Sequence, residues 1–183
     1  ALEKVNGRWQ GAVWPFARGF ASGVNRLAFG PDGNLYAGGL RNAAWAAVAP
    51  LDYGLERVTF TGQMPFEICR VHALADGLQL EFTQPAEKTS AEDPANFHVT
   101  QFGYKHHQTY GSPEIDHEGR ENSATEITVT AAKLSPDGMA LRLKLSGWKT
   151  GFVTAVRAGD LVNREGASLW HDTFYYTLNE LPK

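Results

Sequence analysis

The sequence has almost no cysteine. Its 183 residues include one, Cys69, so no internal disulfide can form. A paired-cysteine haem attachment and a cysteine-cluster zinc site are excluded for the same reason. Cys69 lies in the strand-like run "FEICRV", where it reads as a small buried hydrophobe. Long apolar runs are also missing. The longest, "AAWAAVAP" at 43–50, falls far short of the roughly 20 residues a spanning helix requires. Charge of either sign is scarce in excess: 17 Lys and Arg stand against 20 Asp and Glu, for a net −3. That balance lacks the basic footprint of a nucleic-acid binder, and no Lys/Arg run would hold the chain to an anionic membrane. A signal-peptide pattern is absent and the first residue is Ala, which reads as a processed or excised chain. Beyond residue 64 no segment keeps a 3.6-residue apolar period.

Glycine, proline and aromatic residues are plentiful: 19 Gly, 9 Pro, 5 Trp, 6 Tyr and 10 Phe. Two Pro-Asp-Gly turns stand out, "GPDG" at 30–33 and "SPDG" at 135–138. Proline presets the first corner, Asp bonds its own backbone, and Gly accepts positive φ. Period-2 alternation flanks both. Leu27, Phe29 and Leu35 surround the first turn. Ile127, Val129, Leu141, Leu143 and Leu145 surround the second, with Arg142 and Lys144 on the opposite side. Each pattern predicts a hairpin with one buried face. Further strands are predicted over 66–74, 78–85, 96–104, 152–158 and 174–181. "SAEDPANF" (90–97) predicts one helical turn capped by Ser90 and limited by Pro94. Short strands at intervals of about ten residues indicate a two-sheet, Ig-like sandwich.

Composition shifts near "TGQMPFE" (61–67), with Gly62 and Pro65 as punctuation. The expected organisation is therefore all-β: a blade-like β-hairpin region over 1–63, packed against an Ig-like β-sandwich over 64–183. A lone hairpin sheet cannot bury both faces, and its edge strands offer a route to dimers by strand addition.

The stretch "GRWQGAVWPFARGFASGVNRLAFGPDGNLYAGGL" (7–40) resembles the closing blade of secreted sorbosone/glucose-dehydrogenase-like β-propeller proteins. "GLQLEFTQPAEKTSAEDPANFHVTQFGYKHHQTYGSPE" (77–114) is similar to the Ig-like module that follows such propellers, and "LSPDGMALRLKL" and "AGDLVNREGASLW" fit its later strands. The resemblance implies a secreted or periplasmic location and a place in a sugar- or polysaccharide-oxidising system. Active members hold pyrroloquinoline quinone and calcium in a full propeller. No residue here matches those positions, so no catalytic residue is carried over and the chain is expected to be non-catalytic on its own.

Two constellations carry chemistry. "YKHHQTYGSPEIDHEGRE" (104–121) gathers His106, His107 and His117 beside Glu114, Asp116, Glu118 and Glu121. Imidazole and carboxylate suit copper or zinc, although neighbouring strand residues such as His106 and His107 face opposite ways. The same carboxylates also read as a solvated loop. The second constellation is aromatic. Sugar rings stack their C–H faces on exposed aromatic rings, and Tyr104, Tyr110, Trp148 and Trp170 are the candidate carbohydrate-binding residues. Trp9, Trp14 and Trp45 read as packing residues in glycine-rich surroundings. Ser112 in "GSPE" does not fit a nucleophile elbow, and Asp32 and Asn34 in "PDGN" lack the acid count of a calcium loop.

Three functions follow as expectations. The first is a non-catalytic module that binds carbohydrate, or a neighbouring domain of a larger secreted protein, through surface aromatics. The second is a copper-type redox accessory domain that uses the His-rich loop. The third is a structural cap on a β-propeller.

Overall fold

The computed structural model describes residues 1–40 and 50–183. Trp45 and most of the 43–50 apolar run lie outside the described residues. Among the described residues the strands form three antiparallel sheets, and the chain divides into two units, residues 1–15 with 65–183 and residues 16–64. No helix among the described residues is long and apolar enough to cross a membrane.

The larger unit is a β-sandwich. One sheet has six strands, β1 (Leu2–Val5), β2 (Arg8–Val13), β13 (Thr173–Leu178), β12 (Phe152–Ala158), β8 (Phe97–Phe102) and β9 (Thr125–Glu126), in that spatial order. The other has four, β10 (Thr128–Leu134), β11 (Ala140–Ser146), β7 (Gly77–Phe82) and β6 (Ile68–Leu74). Alternation decides which residues meet between them. Leu78 and Leu80 of β7, Leu141 and Leu143 of β11, Val99 of β8, Val156 of β12 and Phe174 of β13 are all buried in one core. Their strand neighbours Gln79, Arg142 and Lys144 turn outward, as the period-2 pattern requires. Gly77 opens β7 with φ 158°, and a Cβ there would lie 1.9 Å from the Leu143 carbonyl oxygen. Only glycine lets the two backbones approach this closely.

The second Pro-Asp-Gly turn forms as its sequence predicts. Gly138 N donates to the Ser135 carbonyl at 2.9 Å, Gly138 has φ 83°, and Asp137 Oδ1 accepts from Met139 N. The helical turn also forms, but its cap differs. Helix α1 spans Lys88–Glu92, and Glu87 caps it by accepting from Thr89 N and Ser90 N. Ser90 sits inside the turn instead, and Asp93 caps the 3-10 turn Pro94–Asn96.

The expected boundary at 63/64 does not describe how the strands assort. Residues 1–15 belong to the sandwich, because β2 pairs with β13 (Tyr175↔Val13, Tyr176↔Ala12, Thr177↔Gly11). A polar clasp holds this hairpin to the sandwich. The Tyr176 hydroxyl, fully buried, donates to the Glu3 carboxylate and accepts from Gln10 Nε2 at 2.8 Å. Glu3 also accepts from Ala73 N at 2.8 Å and faces His72 Nδ1 at 3.0 Å, so it caps the edge of β6 in the opposing sheet. Gln10 Oε1 accepts from Asn179 N and Glu180 N beyond the end of β13. Burial alone would raise the Glu3 pKa, but the bonds from Tyr176, Ala73 N and His72 outweigh it and hold the carboxyl low. Burial and the adjacent carboxylate push the Tyr176 phenol up, so it stays a donor.

The smaller unit is a three-stranded meander, β3 (Val24–Phe29), β4 (Leu35–Leu40) and β5 (Tyr53–Val58), with β4 central. The first Pro-Asp-Gly turn closes β3 onto β4, with Gly33 N donating to the Gly30 carbonyl at 3.0 Å. Ala21 N donates to Glu56 Oε2, and Ser22 is buried beside Gly39 and Gly54, where side chains would collide with its hydroxyl. The expected buried face of this hairpin is not formed. Leu27 and Phe29 are exposed, as are Tyr53 and Leu55 on the opposite face.

Cys69 departs from its expected burial as well. A register shift between Ile68 and Arg70 interrupts the β6–β7 ladder, and Cys69 is exposed.

Replacing Tyr176 with Phe deprives Glu3 of a donor and Gln10 of an acceptor inside the sandwich. The expected cost is about 2–3 kcal/mol, read as a lower urea midpoint at unchanged slope. A comparable midpoint shift is expected for Leu143→Ala, which opens a cavity worth about 2–5 kcal/mol.

Candidate functional site

The His-rich segment is a folded loop, organised by a buried acid. Asp116 Oδ1 accepts from Glu118 N and Arg120 N, each at 2.9 Å, and its other oxygen takes Arg120 Nε at 2.6 Å. Burial would raise its pKa, but the Arg120 backbone and side chain, Ser123 and the Glu118 amide together hold the carboxyl well below the usual carboxylate range. Isolated bridges Gly103↔Ile115 and Ile115↔Glu121 stitch the loop to itself, and Lys105 pairs with Glu121. Asp116 is therefore not a solvated carboxylate of an open loop. Its oxygens are committed to loop structure.

His117 is committed too. Its Nε2 lies 3.0 Å from Oε1 of the buried Gln101, which also accepts from Lys149 N. The Gln101 amide donates to Thr154 Oγ1 and the Lys149 carbonyl, which leaves Oε1 as the acceptor and His117 Nε2–H as the donor. The ring packs on Phe152 at 4.4 Å between centroids. Burial first, then Lys149, lowers the imidazole pKa. His106 and His107 are exposed on the same loop. Among the described residues no group of three His, Cys, Asp or Glu side chains is placed to hold a metal ion. The expected copper or zinc set of His106, His107 and His117 is thus not assembled, and its third member has Nε2 engaged by Gln101.

The candidate aromatics do not converge either. Trp148 is half-buried against the core, and its indole N–H donates to Thr154 Oγ1 at 3.0 Å. Tyr104 and Tyr110 are exposed beyond the Phe102 end of β8, whereas Trp170 is exposed just ahead of Thr173 in β13. In the sheet register Phe102 pairs with Val153 and Thr173 with Arg157, at opposite ends of β12. Four residues of strand separate those ends by roughly 13 Å, and the two groups start beyond them.

The outer face of the six-stranded sheet carries a more coherent aromatic surface. Side chains pointing away from the core are Leu2 and Lys4 on β1, Trp9 and Val13 on β2, Tyr175 and Thr177 on β13, Val153, Ala155 and Arg157 on β12, and His98, Thr100 and Phe102 on β8. Trp9 is 63% exposed, Val13 65% and Tyr175 42%. The Tyr175 and Phe102 rings stand edge to face at 6.5 Å, and the Lys4 ammonium lies 5.8 Å from the Trp9 centroid. The outer side of the other sheet bears Gln79, Glu81, Lys133, Arg142 and Lys144 instead. The glycine-rich surroundings of Trp9 in the sequence pointed to packing. The signal that locates it is the "WQGAV" alternation, which puts Trp9, Gly11 and Val13 on one face and the buried Gln10 and Ala12 on the other.

No family model matches the chain, and no curated protein matches it. Solved structures that match include the S-layer protein rSbsC(31-844), with 19% identity over 63% of this chain and 14% of that one at a TM-score of 0.46. The N-terminal part of the bacterial S-layer protein SbsC matches with 18% identity over 63% of this chain and 24% of that one, at 0.45. The chain thus spans about a seventh to a quarter of the S-layer chains it matches. The expected kinship with sorbosone/glucose-dehydrogenase-like propellers is corrected by these findings, since nothing from that family is among the matches. The motifs behind it, two Pro-Asp-Gly turns and glycine-rich alternation, are the chemistry of any tight hairpin.

Two acid-sensitive groups in the loop give a pH prediction. His117 has a lowered folded pKa, so its contribution is complete above the unfolded value near ~6.5 and is lost as pH falls below it. Asp116, lowered from ~3.9, contributes fully above that value and loses its contribution as pH falls further. Urea midpoints across this range are expected to decline in two stages. His117→Gln is expected to remove the upper stage and Asp116→Asn to shrink the lower one.

Proposed function

We propose that the sandwich is a non-catalytic binding module that takes carbohydrate on the outer face of its six-stranded sheet. One observation carries the reading: Trp9, Tyr175 and Phe102 lie on one continuous outward face, with hydroxyl and charged side chains among them. A pyranose offers an apolar C–H face and a rim of hydroxyls. Flat rings meet the first, while Thr100, Thr177, Lys4 and Arg157 supply partners for the second. Exposed aromatic surface of this kind costs solubility, so its presence supports a binding role. A polysaccharide target would place the module outside the cytoplasm, and the expected secreted or periplasmic location belongs to this proposal.

A second reading concerns the three-stranded unit. Leu27 and Phe29 on one face and Tyr53 and Leu55 on the other remain exposed, which supports docking of a neighbouring domain on that sheet. Concentration-dependent sedimentation tests the alternative that the sheet pairs with its own copy by strand addition.

Titration of the protein with soluble glucan, xylan and chitin oligosaccharides is expected to change tryptophan emission for at least one of them. Trp9→Ala or Tyr175→Ala is expected to weaken that binding about tenfold or more, the size of a truncated aromatic hot spot. Trp148→Phe is expected to leave it unchanged. No response to any of the three glycans, or equal binding by Trp9→Ala, rejects the reading.

A further inference from the structure

A separate cleft of about 400 Å³ lies at the margin of the sandwich, where α1, the 135–138 turn and the 159–169 loop meet. Its walls include Lys88, Lys133, Arg164, Glu92, Leu134 and Pro136. Three cations thus share one space with the Glu92 carboxylate, and the Asp137 carboxylate of the adjoining turn also acts on Arg164. Glu92 draws the two lysines together: its Oε2 lies 3.9 Å from Lys88 Nζ and its Oε1 lies 3.5 Å from Lys133 Nζ. Oε1 also accepts from Leu134 N at 3.1 Å. Both lysine distances exceed the roughly 2.7–2.9 Å of a direct charge-assisted bond, so the ammonium groups keep donors for another acceptor. Hydrogen bonding from Leu134 N, followed by the two lysines, holds the Glu92 carboxyl low, so it stays charged and cannot itself donate. Arg164 spends one donor on the Asp137 carbonyl at 2.9 Å, out of the five its guanidinium carries.

The cations outnumber the carboxylates that act on them, so an anion entering this cleft would meet excess positive charge. The space is several times larger than an inorganic anion needs, and the exposed Pro136, with the largely buried Leu134 behind it, supplies apolar surface next to the charges. A ring with a C–H face and a negative substituent matches both features. We infer that this cleft binds one anionic sugar unit, a uronate or a sulfated hexose, independently of the aromatic face. The inference rests on the carbohydrate-binding reading for its ligand class, and the cleft itself is a different site.

The test is calorimetric titration of the full chain with digalacturonate, a sulfated hexose, inorganic sulfate and a neutral hexose oligomer. At least one anionic sugar is expected to bind and to weaken with added salt. The double variant Lys133→Gln/Arg164→Gln is expected to lose at least tenfold in affinity for it, with an unchanged urea midpoint. Trp9→Ala is expected to keep that affinity. An intact response in the double variant overturns the site, and loss in Trp9→Ala moves the anion to the aromatic face. Inorganic sulfate binding as tightly as either sugar overturns the ligand class. Anionic binding without any neutral-glycan binding upholds the cleft while rejecting the face.

Discussion

The sandwich depends on one hydrogen-bonded clasp, in which the Tyr176 hydroxyl sits between Glu3 and Gln10. Two sheets packed by leucine alone specify burial but not which strand lies beside which. Apolar side chains tolerate sliding, whereas a half-buried carboxylate held from several sides does not. Glu3 must find the Tyr176 phenol and the Ala73 amide together, and a register slip would leave charge stranded in a site of low polarity. Among the described residues every buried side-chain nitrogen and oxygen has a partner. The same clasp sets β2 beside β13, and this is what brings Trp9 and Val13 onto the face occupied by Tyr175.

The two outer faces of the sandwich differ in kind. The four-stranded sheet presents Arg142, Lys144 and Gln79 to solvent, as a sheet with no outer partner does. The six-stranded sheet presents tryptophan, tyrosine, phenylalanine and valine. Both are built from the same alternation, so the difference lies in residue choice and not in backbone geometry. The anion cleft lies at the margin, where a helical turn and two loops meet the end of β10, so it joins Lys133 of the four-stranded sheet's outer face to loop side chains freed from the strict in-and-out rule of strands.

Much of the fold was legible because strands advertise themselves by alternation. The runs that became β6, β7, β8, β11, β12 and β13 are readable residue by residue, as is the 135–138 turn. Three things were hidden for identifiable reasons. β1 has only four residues, β2 carries Gly11 in its middle, and their partner β13 lies far along the chain, so local pattern could not assign them to the sandwich. Cys69 was turned outward by a bulge that alternation does not anticipate. Asp116 and His117 looked solvent-bound in a polar stretch, yet hydrogen bonds to backbone and to Gln101 drew them inward. The aromatic site was legible in composition but not in location. Loop tyrosines attract attention in sequence, whereas the face that unites Trp9, Tyr175 and Phe102 exists only once distant strands are aligned.

The sheet order carries a consequence for biogenesis. Gln10 and Tyr176, joined side chain to side chain, are 166 positions apart. A ribosome delivers the hairpin β1–β2 well before the strand it needs, with residues 16–64 and most of the sandwich in between. Until β13 emerges, Trp9 and Val13 must travel on an unpaired ribbon whose edge is open to other chains. Any chaperone or translation pause that protects this protein has its natural target there, in a ribbon that is made long before the strand that houses it.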